Sequence, residues 1–188
     1  MPRQTTGEID SEIVDRAASL FSRHGFGRTS LQQVADAVGY TKAGLLHHFP
    51  SKQAIYDAVV AVVTQQLSNL ADSVEALPVG YARDLTVVTS MVNLATDWPG
   101  VSEFANSLVH DGHDLGAELA QGGLALLGAF GVDLENPDDE RLIRIVSTCT
   151  GLTMTTLQAS RAGLTREWRE LVITVSMDTL GHSARPSG

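Results

Sequence analysis

Cysteine is almost absent from this chain. Cys149 is the one thiol in 188 residues, which excludes an internal disulfide framework and fits a reducing compartment. Aromatic residues make up 5%, too few to point to an aromatic cage around a ligand. No apolar run reaches the roughly 18 residues that a membrane span needs. The N-terminal stretch "MPRQTTGEIDSEIVDR" is polar and lacks the apolar core of a signal peptide, so a cytoplasmic location is expected. Convincing period-2 runs are missing, which argues against strands. Basic charge is short as well: the formal net charge is -9, which at first sight argues against nucleic acid. What is present is a hydrophobic fraction of 43% and a length sufficient to bury a core.

The charge is uneven. Residues 1–52 hold six Lys and Arg against five Asp and Glu, a net +1, whereas residues 53–188 hold seven against seventeen, a net -10. The acidity belongs to the C-terminal part, and the asymmetry predicts two functional domains, 1–52 and 53–188.

Helical periodicity runs through the whole chain. Ile13, Ala17, Leu20 and Phe21 share one helix face, and Gly25 stops that helix. Thr29 or Ser30 then caps a second helix with Leu31, Val34, Ala35 and Val38 inside. Gly39 closes it. Thr41 caps a third helix, in which Leu45 and Phe49 share a face, and Pro50 ends it. Ser51 opens a fourth. Short helices joined by a tight glycine turn have the form of a helix-turn-helix. Within "GYTKAGLLHHF" the adjacent His47 and His48 point about 100° apart on a helix, with no cysteine or carboxylate beside them in sequence. That is poor geometry for zinc, and no third group orients them for catalysis.

The segment "IVDRAASLFSRHGFGRTSLQQVADAVGYTKAGLLHHFPSKQAIYDAVV" resembles the N-terminal domain of the TetR (tetracycline repressor) family. The resemblance rests on Ala17 and Phe21 before "HGF", on "TSLQQVADAVGYTKAGLLHHF", and on "HFPSK" leading into the fourth helix. It covers about residues 12–60. It implies that the third helix enters the major groove with its N-terminal residues nearest the bases. Lys42 and His47 are then the expected direct contacts, with Thr41 and Leu46 next to them. Ala43 and Gly44 permit close approach of the backbone. Lys52 takes the place of the family's phosphate clamp, and Arg28, Thr29 and Gln32 are further backbone candidates. For His48, phosphate contact and packing both stay open. The chain departs from the family at Leu46, where a tyrosine is common. A leucine cannot bind phosphate but can touch a thymine methyl.

Beyond the long fourth helix, "YARDLTVVTSMVNLATDW" is apolar nearly all round and reads as buried. About nine helices are expected in all, giving an all-α fold. "IVSTCTGLTMTTLQAS" and "LVITVSM" carry no charge, as expected for the last two helices if one face packs inward and the other meets a second chain. The resemblance implies a homodimer built on these two helices. A pocket for a small, largely apolar effector is expected among Met91, Leu94, Trp98, Phe104, Leu108, Met154 and Leu157, each of which also reads as plain core. Cys149 reads as a buried small hydrophobe. No cofactor and no metal site is expected.

These readings combine into a ligand-responsive DNA-binding regulator, a repressor that holds a pseudo-palindromic operator as a homodimer and is released by its effector. Two rivals stand against it. One is a helical metal-dependent hydrolase using His110, Asp111, His113 and Asp114. The other is a dimeric helical adaptor that does not bind DNA.

Overall fold

The computed structural model describes residues 5–110, 117–162 and 166–182. Among them it shows nine helices and no strand: α1 (Thr6–His24), α2 (Leu31–Val38), α3 (Lys42–His48), α4 (Lys52–Val74), α5 (Tyr81–Asp97), α6 (Pro99–His110), α7 (Ala117–Ala129), α8 (Asp139–Arg161) and α9 (Arg166–Thr179). None of the described helices is long and apolar enough to cross a membrane.

Local chemistry sets the helix ends. α1 starts a full turn before its apolar pattern because Thr5 and Glu8 form a reciprocal capping box. The Thr5 amide bond to Glu8 holds that carboxyl below its usual range. Ser30, rather than Thr29, caps α2, again reciprocally with Gln33. Gly39 ends α2 in the left-handed conformation at φ 72°, where a side chain would be strained. The Tyr40 amide then bonds back to the Ala35 carbonyl, as in a Schellman turn.

The described residues form two compact units. One runs to Gln65 and takes back the segment from Trp98 through α6; the other holds Gln66–Asp97 and the described residues after 116. α4 therefore contributes to both, and α6 packs with the N-terminal helices rather than with those that flank it in sequence. The expected functional division at residue 52 has no counterpart in this packing, because α1 and α6 join across about eighty positions of chain.

That joint is polar and close. Asp15 on α1 accepts hydrogen bonds at Oδ1 from the Gly100 and Val101 amides, at 2.8 and 3.0 Å, and so caps α6 from another helix. Ser19 donates to the Glu103 carboxylate at 2.7 Å, and Arg23 grips both of its oxygens at 3.2 Å. Glu103 raises the pKa of Arg23 in return. Gly100 makes the approach possible, since a Cβ there would lie 1.9 Å from the Asp15 carbonyl oxygen. Beneath this joint Phe21, Phe26, Tyr56 and Phe104 interlock edge to face, with ring centres 4.9–5.8 Å apart. Ile13, Ala17, Val34, Leu45, Ile55, Val59 and Val101 complete that core.

The second unit packs α5 against α8 and α9, with α8 and α9 also against each other. Val87, Val88, Val92, Phe130, Ile145 and Leu152 are central to its core. A buried carboxylate, Asp84, accepts from Arg141 at 2.7 Å and meets His182 Nε2 at 2.7 Å, which offsets the cost of enclosing its charge. Arg83 donates to the carbonyls of Leu77, Gly128 and Ala129, joining the end of α4 to the end of α7.

Candidate nucleic-acid interface

The site is built on the turn between α2 and α3. Thr41 caps α3 by accepting from the Gly44 amide at 3.0 Å, and the cap fixes where the helix begins. A Cβ on Gly44 would sit 3.3 Å from both the Thr41 hydroxyl and the Tyr40 ring, so the small residue leaves that cap undisturbed. α3 is only seven residues long, too short to persist alone. Leu45, fully buried, anchors it to the core, and Phe49 is half-buried behind it.

With Leu45 facing in, Thr41, Lys42, Ala43, Leu46 and His47 face out, and all five are exposed. The first turn of α3 carries no acidic residue. The exposed face thus combines one ammonium, one imidazole, two small residues, an apolar contact in Leu46 and a helix N-terminus, which itself attracts phosphate. Arg28 is exposed beyond the end of α1, where its Nε donates to the His24 carbonyl at 2.8 Å. Gln32 is exposed on α2, and its amide donates to Asp36 at 2.7 Å.

Two of the expected backbone contacts have partners within the chain. Thr29 is buried, at 2% exposure, and its hydroxyl donates to the Gly25 carbonyl at 2.9 Å. It holds the α1–α2 loop. Lys52 straps the same loop. Its ammonium donates to the carbonyls of Phe26 and Thr29 at 2.6 and 2.8 Å and lies 4.2 Å from the centre of the Phe26 ring. Both roles follow from the same loop, whose carbonyls have no helix to satisfy them. His48, left open by sequence, pairs its Nδ1 with Asp10 of α1 at 2.7 Å. Asp10 was not singled out by sequence, since nothing local signals a partner 38 positions away.

Metal chemistry finds little here. Among the described residues no group of three His, Cys, Asp or Glu is placed to hold an ion. The His110–Asp114 cluster lies outside the described side chains. Of the effector candidates, Leu108 and Leu157 lie there too. Met91 and Leu94 are half-buried on α5, with Met91 Sδ 3.8 Å from the Cys149 sulfur, and Trp98 is half-buried just before α6. Phe104 belongs to the aromatic core of the first unit. Met154 does not face inward: it is 52% exposed on the outer side of α8, because its position falls opposite the buried arc of Ile145, Leu152 and Thr156. Burial pushes the Cys149 thiol up to about 12, so it is not a reactive thiolate at neutral pH.

Comparison with known proteins places this geometry. Residues 13–59, the segment that forms α1 to the first part of α4, match the bacterial regulatory proteins of the tetR family. The fold is similar to the crystal structure of AmtR from Mycobacterium smegmatis, with a TM-score of 0.50 and 25% identity, covering 98% of this chain and 90% of that one.

The helix-turn-helix segment of the chain is thus similar to that of the tetR family of bacterial regulatory proteins. Its similarity to the IcaR regulator of Staphylococcus aureus, described as a negative transcriptional regulator of a biofilm operon, is 39% identity over 62 residues, 33% of each protein. The transcriptional regulator RutR of Escherichia coli is 46% identical over 48 residues, 26% of this chain and 23% of RutR. The likeness thus spans a third or less of these curated relatives' length.

Proposed function

We propose that this chain is a regulator of the TetR kind: a ligand-responsive DNA-binding transcriptional regulator, a repressor, and not an enzyme. One observation carries the reading: α3, pinned by Leu45, turns Thr41, Lys42, Ala43, Leu46 and His47 outward as a group beside the helix N-terminus. In this reading Lys42 and His47 read base edges and phosphates, Leu46 meets a thymine methyl, and Arg28 and Gln32 contact the backbone. The name of IcaR, a negative regulator, supports repression.

The partner is a second copy of the chain. α8 and α9 expose Ile143, Val146, Met154, Leu171 and Val175, each more than half accessible. A contiguous apolar face of this kind marks a protein interface. Two copies joined there would present two α3 helices to a pseudo-palindromic operator. A small effector bound in the C-terminal helices, with Met91 and Leu94 of α5 as lining candidates, would shift the population away from the operator-binding form.

Selection of genomic DNA fragments by the purified chain tests the reading. The expected result is enrichment of a short pseudo-palindrome, protected in a footprint and lost from a Lys42→Ala, His47→Ala double variant. Recovery of no fragment above background overturns it and leaves the adaptor reading.

A further inference from the structure

The recognition helix carries a histidine that is tied from behind. His48 Nδ1 lies 2.7 Å from Asp10 Oδ1, and the His48 side chain is 13% exposed. The ring is held edge to face by Tyr40 from the α2–α3 turn, at 5.7 Å, and by His47 on α3, at 5.9 Å. Its other nitrogen, Nε2, has no hydrogen-bond partner among the described residues and is not among the enclosed polar atoms that lack one. Nε2 therefore reaches the surface of the helix that carries Lys42 and His47.

We infer that Asp10 is a positioning residue for DNA binding: it fixes the His48 ring so that Nε2 is presented to a backbone phosphate. The inference rests on the DNA-binding reading above and adds to it a residue of α1 and a proton. With Nδ1–H directed at the carboxylate, a neutral His48 offers only a lone pair at Nε2, which a phosphate repels. The imidazolium donates from both nitrogens, one to Asp10 and one to the phosphate. The carboxylate thus plays the part that an orienting acid plays behind any working histidine. Binding takes up one proton, and affinity falls as pH rises through the range in which imidazoles lose their charge. The titratable groups facing His48 are Asp10 from α1, Tyr40 from the turn and His47 from α3 itself. Among the described residues the hydrogen bond to Asp10 is made by His48 and not by His47.

The test is affinity for a duplex that the wild-type chain selects from a random pool, measured by fluorescence anisotropy at constant salt between pH 5.5 and 8.5. Wild type, Asp10→Asn and His48→Gln are compared. Asparagine keeps the size of the side chain and removes its charge. The expected outcome is that both variants bind about tenfold more weakly than wild type at the acid end, approach wild type at the alkaline end, and show a shallower pH slope. A uniform loss at every pH in both variants identifies packing alone and overturns the inference. So does a slope equal to that of wild type. If the wild-type chain selects no duplex, the DNA-binding reading fails first and this one with it. A selected duplex with unchanged slopes sinks only the role of Asp10.

Discussion

The outer face of α3 and the outer faces of α8 and α9 are both exposed, yet they are made of opposite materials. α3 shows a lysine, a histidine, a threonine and small residues around the partly exposed Leu46. α8 and α9 show Ile143, Val146, Met154, Leu171 and Val175. The first suits a charged, hydrated polymer, met by cations and a helix N-terminus. The second suits a dry interface with another protein surface. What holds each face differs too. α3 is short and depends on Leu45, the Thr41 cap and the polar joint between α1 and α6 for its frame. α8 is long, buries its own inner arc and needs no such brace. The two surfaces should therefore fail separately.

The largest effect is expected from charging the apolar face. Leu171→Asp should convert the chain to a monomer by sedimentation equilibrium at micromolar concentration. Operator affinity should fall by at least about a hundredfold, since linked half-sites gain 10²–10⁴ in avidity. An unchanged dimer mass would place the interface elsewhere.

Next comes the frame of α3. Gly100→Ala pushes a methyl group against the backbone of α1, which cannot yield as a flexible side chain would. A loss of about 3 kcal/mol in chemical denaturation is expected, with self-association through α8 and α9 intact. A neutral result would mean that α6 does not brace α1.

The chain's two lysines sharpen the comparison within the first unit. Lys42→Ala should weaken binding by about 1–3 kcal/mol and reduce the salt slope by about one, without changing thermal stability. Lys52→Ala should do the reverse: a lower unfolding midpoint, from the loss of about 1.5–3 kcal/mol of charge-assisted bonding, with an unaltered salt slope. If Lys52→Ala flattens the slope instead, its ammonium leaves the loop for a phosphate on binding.

The smallest effect concerns Asp15. Burial raises its carboxyl above the ordinary range, against the opposing pull of the Val101 and Gly100 amides. The folded state thus holds the proton more tightly than the unfolded chain does. The stability that this group contributes is complete below the ordinary aspartate value of about 3.9 and is lost as pH rises through the raised value. Asp15→Asn should flatten that part of the stability–pH curve while keeping the cap, whereas Asp15→Ala should cost about 1 kcal/mol.

The helices and the face of α3 were legible because their signals are local. Glycine, proline and cap residues mark the ends, and the 3.6 period assigns Leu45 inward and Lys42 and His47 outward. The loop partners of Thr29 and Lys52 were not legible, for a physical reason. A threonine or lysine beside a loop looks polar and available, and only the folded loop reveals carbonyls that claim it. Met154 was read as pocket lining because an apolar residue in an uncharged helix does not reveal which of its two apolar sides it occupies.

Sequence by itself determined that this chain is all-helical, that its acidity lies away from the helix-turn-helix, and which residues of α3 point outward. Each of these depends on neighbours within one or two turns of helix. Only the tertiary structure decided that α6 returns to α1 through Asp15 and Glu103, that Lys52 closes a loop, that Asp84 is enclosed between Arg141 and His182, and that Asp10 stands behind His48. Those partners are 23 to 98 positions apart, and no local pattern encodes a hydrogen bond that forms only after the helices have packed.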